Sequence, residues 1–351
     1  VARFNAGTTF FLMPKHTTDP RIKELVSEVT SGREAELVEE MIETALRFGR
    51  DHAEIADLKL YNKAMRELRY AASVFAKYHG ISKVAVFGSA RTKPETEEYQ
   101  LARRFAARMV AEGYMLITGG GDGIMGAAQE GAGAQKSFGL NIRLPFEQKA
   151  NEVIEGNPKL INFKYFFTRK LNFIKESQAF ALFPGGFGTH DEGFELMTLI
   201  QTGKTPIVPI VMLDRPNGHY WEMWRRFISN DLLDAGLISK EDLNLFLITH
   251  DVESAVRHIR SFYRVFHSYR WVREKMVIRT KQSLSAESLE KLNFDFSHLL
   301  TTGKITQESA LPQESDQPKI AHLPRLVLEP KKDFGKLRHL IDAINRAKVR
   351  S

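Results

Sequence analysis

The densest chemistry in this 351-residue chain lies in Phe183-Pro184-Gly185-Gly186-Phe187-Gly188-Thr189-His190-Asp191-Glu192-Gly193-Phe194-Glu195. An apolar run with the character of a buried strand ends there in glycine-rich backbone. Thr189 follows where a helix should begin, as an N-cap or first-turn residue. Its hydroxyl and the N–H groups of Gly185, Gly186 and Gly188 suit an anion such as phosphate. Glu192 and Glu195 are three apart, so on a helix they share a face. Acids near a helix start also complement its dipole, which is the purely structural explanation. Beside an anion-binding loop, however, two carboxylates would repel a phosphate unless they were held apart for different tasks. His190 reads as a surface or supporting residue.

Two more glycine-bearing strand ends precede this block. Val84 to Phe87 runs into Gly88-Ser89-Ala90-Arg91, where small residues allow a ligand to approach and Ser89 offers a hydroxyl. Thr118-Gly119-Gly120-Gly121-Asp122-Gly123-Ile124-Met125-Gly126 is a strand feeding a second loop, whose Gly120, Gly121 and Gly123 present backbone N–H groups as an anion cradle. Gly121, Gly123 and Gly126 satisfy the dinucleotide pattern, but the loop follows the second strand of its domain rather than the first. The residues about twenty positions on, Asn141, Arg143 and Glu147, include no clean ribose-binding acid. Between the loops lies Tyr165-Phe166-Phe167-Thr168-Arg169-Lys170-Leu171-Asn172-Phe173, whose rings suit a core and whose Arg169 and Lys170 suit phosphate or carboxylate.

Something must hold these loops together. Short apolar runs at Val84–Phe87, Tyr114–Thr118, Phe138–Ile142, Ala179–Phe183 and Ile207–Leu213 alternate with helical stretches. That rhythm predicts a parallel sheet buried on both faces, a doubly wound α/β domain with ligands beyond the carboxyl ends of its strands. The expected class is therefore α/β, a Rossmann-like doubly wound parallel sheet with helical N- and C-terminal extensions. The expected division is 1–80 for a helical N-terminal extension, 81–260 for the catalytic domain and 261–351 for a C-terminal extension of helix and loop. In the first, Leu37, Met41, Ile42, Ala45 and Leu46 recur at helical spacing, and Asp57 to Lys77 is a second amphipathic helix, both read as core or partner-helix contacts. In the last, Phe262 to Lys281 reads as a basic, aromatic-bearing helix, Gly303 to Pro318 as an exposed loop and Phe334 to Lys348 as a final helix.

Composition narrows the classes. Lys and Arg total 50 against 43 Asp and Glu, a net charge of +7, and this modest excess makes the basic helix faces solvated surface rather than a nucleic-acid interface. The chain has no Cys, which excludes disulfides, thiolate catalysis and Cys-ligated metals and is compatible with a cytoplasmic location. No apolar stretch approaches the roughly 20 residues of a spanning helix, so no membrane partner is expected. Residues 1–20 carry one apolar patch, Phe10 to Met13, without a signal-peptide pattern, and the opening Val suggests a trimmed start. No His pair at ligand spacing calls for a metal.

The glycine block at 119–126, then Arg169-Lys170, then Pro184-Gly185-Gly186-Phe187-Gly188-Thr189-His190-Asp191-Glu192 resemble, in order and spacing, the signatures of the LOG ("Lonely guy") proteins, often mislabelled lysine decarboxylases. The resemblance covers about residues 80–250, and the flanks resemble a longer bacterial subgroup. It implies a Rossmann-like fold and hydrolysis of the N-glycosidic bond of nucleoside 5′-monophosphates, AMP or cytokinin riboside monophosphates, to free base and ribose 5-phosphate. It also implies a homodimer or larger homo-oligomer. By position it assigns Arg169 and Glu192 as the catalytic pair, Glu195 as a further acid, Gly185, Gly186, Gly188 and Thr189 as the phosphate loop, and Ser89 as a neighbour of the nucleotide. The first glycine block is one residue shorter than the plant-type pattern and carries Asp122. On this reading Glu192 stabilises an oxocarbenium-like ribose and handles water, with no cofactor, and Arg169 keeps Glu192 ionised. Three other readings are a binding module, since similar folds carry molybdenum cofactor, a pyridoxal-phosphate decarboxylase with Lys170 as the only motif lysine, and a nicotinamide enzyme.

Overall fold

The computed structural model describes residues 19–143 and 149–350. The Phe10–Met13 patch and Glu147 lie outside the described residues. The chain divides into two compact units, one ending at Tyr70 and one beginning at Ala71.

The first unit is helical: α1 (Pro20–Ser27), α2 (Gly32–Arg50) and most of α3 (Ile55–Ala76). Asp19 caps α1 by accepting from the Arg21 N–H at 2.9 Å, and Pro20 starts the helix where no N–H is required. The two amphipathic helices stand where their periodicity predicts them. Their core role does not hold for α2, which buries no residue fully and leaves Leu37, Met41 and Leu46 about half exposed.

The second unit contains the expected parallel sheet. Its strands are β1 (Lys83–Phe87), β2 (Met115–Thr118), β3 (Ser137–Ile142), β4 (Leu160–Phe163), β5 (Ala179–Leu182), β6 (Ile210–Leu213) and β7 (Phe246–Thr249), ordered β4-β3-β2-β1-β5-β6-β7 and all parallel. Alternation along β1 splits the core. Val84 and Val86 pack with residues of α4 (Glu97–Ala111), α5 (Ile124–Ala132) and α9 (Val252–Phe262), while Ala85 and Phe87 pack with residues of α6 (Phe166–Glu176) and α7 (Phe187–Gln201). Helices therefore cover both faces, as the continuous apolar strands require. The edge strands β4 and β7 escaped the sequence reading. Each is four residues long and only partly buried, so neither carries the apolar run that marks the central strands.

The chain runs outward from β1 to β4, then returns through α6 to place β5 on the other side of β1. The direction of winding reverses between β1 and β5. A crevice opens at the carboxyl ends of such a strand pair. Ser89 and Gly185 follow those two strands.

The C-terminal quarter corrects an expectation. Phe262–Lys281 is not a helix. After α8 (Tyr220–Phe227) and α9, the chain forms β8 (Phe266–Val272) and β9 (Lys275–Thr280), then α10 (Ala286–Asp295), β10 (Leu300–Glu308), β11 (Arg325–Pro330) and α11 (Phe334–Arg346). The four strands make an antiparallel sheet ordered β10-β11-β9-β8. The β8–β9 hairpin turns on Arg273-Glu274, with Arg273 at φ 55°, and so lacks the Gly or Asn that usually marks a two-residue turn. Residues 303–308, the first part of the stretch read as loop, belong to strand β10. One arginine of the stretch read as a basic helix, Arg279, is buried, as is Arg325 on β11. Glu314 accepts from Arg279 Nη2 at 2.6 Å and from Arg325 Nε at 3.0 Å, and all three side chains are almost fully enclosed.

Candidate active site

Three loops meet at the reversal point and are laced through Ser89. Its N–H donates to the Pro184 carbonyl at 3.0 Å, and its carbonyl accepts from the Ile124 N–H at 3.0 Å. Its hydroxyl accepts from the Arg91 N–H at 3.1 Å. The strand ends of β1, β2 and β5 are thereby tied together, and the glycines make this closeness possible. A Cβ on Gly185 would stand 2.1 Å from Thr189 Oγ1 and 3.0 Å from Ser89 N. On Gly123, at φ +64°, it would stand 2.3 Å from the Ser89 carbonyl oxygen. Gly123→Ala should therefore combine left-handed strain with a backbone clash and destabilise the protein by about 2–4 kcal/mol, read as a lowered denaturation midpoint. An unchanged midpoint would mean that the two loops are not this close.

Asn151, which no motif signals, locks the second loop. Its side-chain amide donates to the Gly120 and Gly121 carbonyls at 3.1 and 2.8 Å and to Gln129 Oε1 at 2.6 Å. Gly120, Gly121 and Gly123 are buried, whereas Asp122 is exposed. The loop after β5 leads straight into α7, with Gly186 at the N-cap, Gly188 and buried Thr189 in the first turn, and Glu192 one turn on. Tyr220, another residue without a sequence signal, braces this loop by donating from its hydroxyl to the Gly185 carbonyl. His190 Nε2 lies 2.7 Å from that hydroxyl, which makes His190 a support for the loop.

Helix α6 brings the cations. Arg169 is held from behind, its Nε donating to the Leu140 carbonyl at 2.8 Å and its guanidinium lying 5.4 Å from the Phe173 ring centre. Its Nη2 faces Gly119, where an added Cβ would come within 2.6 Å. Burial lowers the Arg169 pKa, and the charge of Glu192 partly restores it. Lys170 Nζ pairs with Asp191 and Glu195, both at 2.7 Å. Burial disfavours that ammonium, but the two carboxylate bonds outweigh it and raise its pKa. Its contacts are thus with carboxylates rather than with the glycine loops.

The two glutamates differ as charge repulsion requires. Glu195 is neutralised by Lys170, while Glu192 is 7% exposed. Burial pushes the Glu192 carboxyl up to about 7, against the opposing pull of Arg169 and Lys170 and with a further push from Glu195 and Asp191. Arg169 pulls Glu192 toward its ionised form, the expected direction, but burial outweighs that pull. The cation moderates the shift, and desolvation sets its sign. The result is a carboxyl group poised to exchange a proton near neutrality, beside a buried guanidinium and two glycine-lined strand ends. Among the described residues no group of three or more His, Cys, Asp or Glu side chains is placed to hold a metal ion.

Residues 125–259 match a family model described as "Possible lysine decarboxylase". The cytokinin riboside 5′-monophosphate phosphoribohydrolase of Mycobacterium tuberculosis (strain ATCC 25618 / H37Rv) is 32% identical over 176 residues, which span 50% of this chain and 91% of that protein. The protein of the same name from Mycobacterium marinum (strain ATCC BAA-535 / M) is 29% identical over 177 residues, with the same coverage. Among solved structures, the molybdenum cofactor carrier protein of Chlamydomonas reinhardtii aligns over 51% of this chain and 96% of its own, at 20% identity and a TM-score of 0.36. With a relative this similar matched along nearly its whole length, the chain belongs to the LOG family, which includes these phosphoribohydrolases.

Proposed function

We propose that this protein hydrolyses the N-glycosidic bond of nucleoside 5′-monophosphates, releasing the free base and ribose 5-phosphate. The observation that carries the reading is Glu192, a buried carboxyl with a pKa near neutrality, set beside Arg169 at the reversal point of the sheet. The backbone of Gly185, Gly186 and Gly188, with Thr189, grips the 5′-phosphate at the start of α7, and Gly120, Gly121, Gly123 and Ser89 form the opposite wall. This distant grip places the sugar against Glu192. As the bond to the base lengthens, positive charge grows on C1′ and the ring oxygen, and the carboxylate stabilises it. Water then adds its hydroxyl to C1′ and gives its proton to Glu192. The base departs with the bonding electron pair and takes up a proton from solvent.

Arg169 fixes the substrate and tempers the burial cost of the neighbouring carboxylate. Glu195, already paired with Lys170, holds that lysine and borders the sugar's hydroxyls. The substrate class is a nucleoside 5′-monophosphate, AMP-like or a cytokinin riboside monophosphate. We read the protein as cytoplasmic, as a homodimer or larger homo-oligomer, and as needing no cofactor for this step. No helix among the described residues is long and apolar enough to cross a membrane. Incubation with AMP followed by chromatography should show adenine and ribose 5-phosphate in equal amounts. Absence of base release from a panel of purine and pyrimidine 5′-monophosphates would remove the hydrolase reading, and retention of a ligand without product would favour a binding module.

A further inference from the structure

The amino ends of the parallel strands, on the far side of the sheet from the glycine loops, open on a separate cavity of about 660 Å³. One wall is Gly80 to Lys83, Ser177-Gln178 and Thr205 to Val208, the residues that lead into β1, β5 and β6. The other wall is the β8–β9 hairpin with residues 316–320. The parallel sheet and the C-terminal sheet build it together.

Six cationic side chains line this cavity, Lys83, Lys175, Arg270, Arg279, Lys281 and Lys319, against two carboxylates, Glu176 and Asp316. Three of the six are answered by acids: Lys175 by Glu176 at 2.5 Å, Arg270 by Asp316 at 2.7 Å, and Arg279 by Glu314 at 2.6 Å. The bonds of the Lys83 and Lys281 ammonium groups go to backbone carbonyls instead, those of Tyr78 and Ile81 for Lys83 and that of Tyr263 for Lys281. Burial lowers the pKa of both lysines, as expected of cations desolvated without a full counter-charge.

The wall also holds three buried polar atoms without a hydrogen-bond partner among the described residues: Ser177 Oγ, Arg270 Nε and Gln317 Oε1. Ser177 is only 5% exposed. Enclosed polar atoms are nearly always satisfied in a folded chain, by protein, water or a ligand. All three atoms expose almost no surface, so they sit behind the wall rather than facing the cavity's space. Tyr114, Phe180, Tyr263, Phe266 and Tyr269 add an apolar lining. Cationic excess and aromatic surface within a single enclosure describe an organic anion.

We propose that this cavity binds a small organic phosphate. Its phosphate oxygens accept from the Arg270 guanidinium and the lysines, and its carbon skeleton lies along the rings. This site is independent of the phosphate grip at the start of α7, and the test separates the two. Inorganic pyrophosphate serves as the probe, titrated by calorimetry at fixed ionic strength into the full chain and its variants. The expected result is a binding event that Arg270→Gln combined with Lys319→Gln weakens at least tenfold and that Thr189→Val leaves unchanged. Lys319 is exposed, so the single variant Lys319→Glu tests the same rim with little risk to folding and should weaken the event several-fold. Circular dichroism checks that each variant is folded. Absence of pyrophosphate binding would overturn the proposal, and so would binding that Thr189→Val abolishes while the Arg270 and Lys319 variants leave it intact.

Discussion

Glu192→Gln should lower AMP turnover by roughly 10²–10⁴-fold while making the protein more stable. The amide keeps the shape of the carboxyl and loses both its charge and its proton exchange, so KM should move far less than kcat. In the parent protein, kcat/KM should rise with pH through about 7, where Glu192 becomes a carboxylate. That limb should vanish in the variant. The stability change has the opposite sign for the same reason. Below its ordinary 4.5 the carboxyl is neutral in both folded and unfolded chains, and burial costs nothing extra. Above that value the unfolded chain ionises while the folded one resists, so the folded state is progressively disfavoured until pH passes the folded value near 7. At pH 8 the variant should gain about 2–3 kcal/mol, seen as a raised thermal midpoint. A gain in stability with full activity would mean that 192 is a buried acid without a catalytic part. A loss of activity with no gain would mean that the group is less desolvated than its surroundings indicate.

Glu314→Ala should be the most destabilising single change in the C-terminal sheet. Burial pushes the Glu314 carboxyl up, but hydrogen bonds from Arg325 and Arg279 outweigh that and hold it below its ordinary 4.5. Its contribution is therefore present above 4.5 and lost as the pH falls through the lowered folded value. Removing the acid strands two enclosed guanidinium groups, Arg279 at 4% exposure and Arg325 at 0%, at a cost of about 3–5 kcal/mol. Urea denaturation at pH 7 measures this. The loss should shrink in acid, as the parent Glu314 is protonated below its ordinary 4.5. Replacing all three residues together with Leu or Met should recover much of the loss, because an ion cluster and a packed apolar cluster differ little in net stability. A small effect of the single change would show that solvent reaches the cluster.

The sequence announced the central strands, the three glycine-rich ends and the α7 acids because each is a local pattern. Val84–Phe87 is apolar on both faces, and Gly185 to Thr189 is a strand end meeting a helix start. Much of the remainder depends on contacts between distant segments. The β8–β9 hairpin was hidden by an Arg-Glu turn and by arginines whose acid partner lies 35 residues further on. Asn151 and Tyr220 position the loops from outside any motif, and no spacing rule points to a lone amide or phenol. The pair Glu192 and Glu195 reads as two equal acids. Their difference arises because Lys170 pairs with one while enclosure dominates the other, and neither fact can be read along one dimension.

A crystal of the Glu192→Gln protein soaked with AMP tests the main claim most directly. The account predicts the phosphate on the N–H groups of Gly185 to Thr189 and the side chain of residue 192 within about 3.5 Å of C1′, with Arg169 against the sugar or phosphate. A nucleotide seated with its phosphate elsewhere, or with C1′ well beyond reach of residue 192, would contradict it.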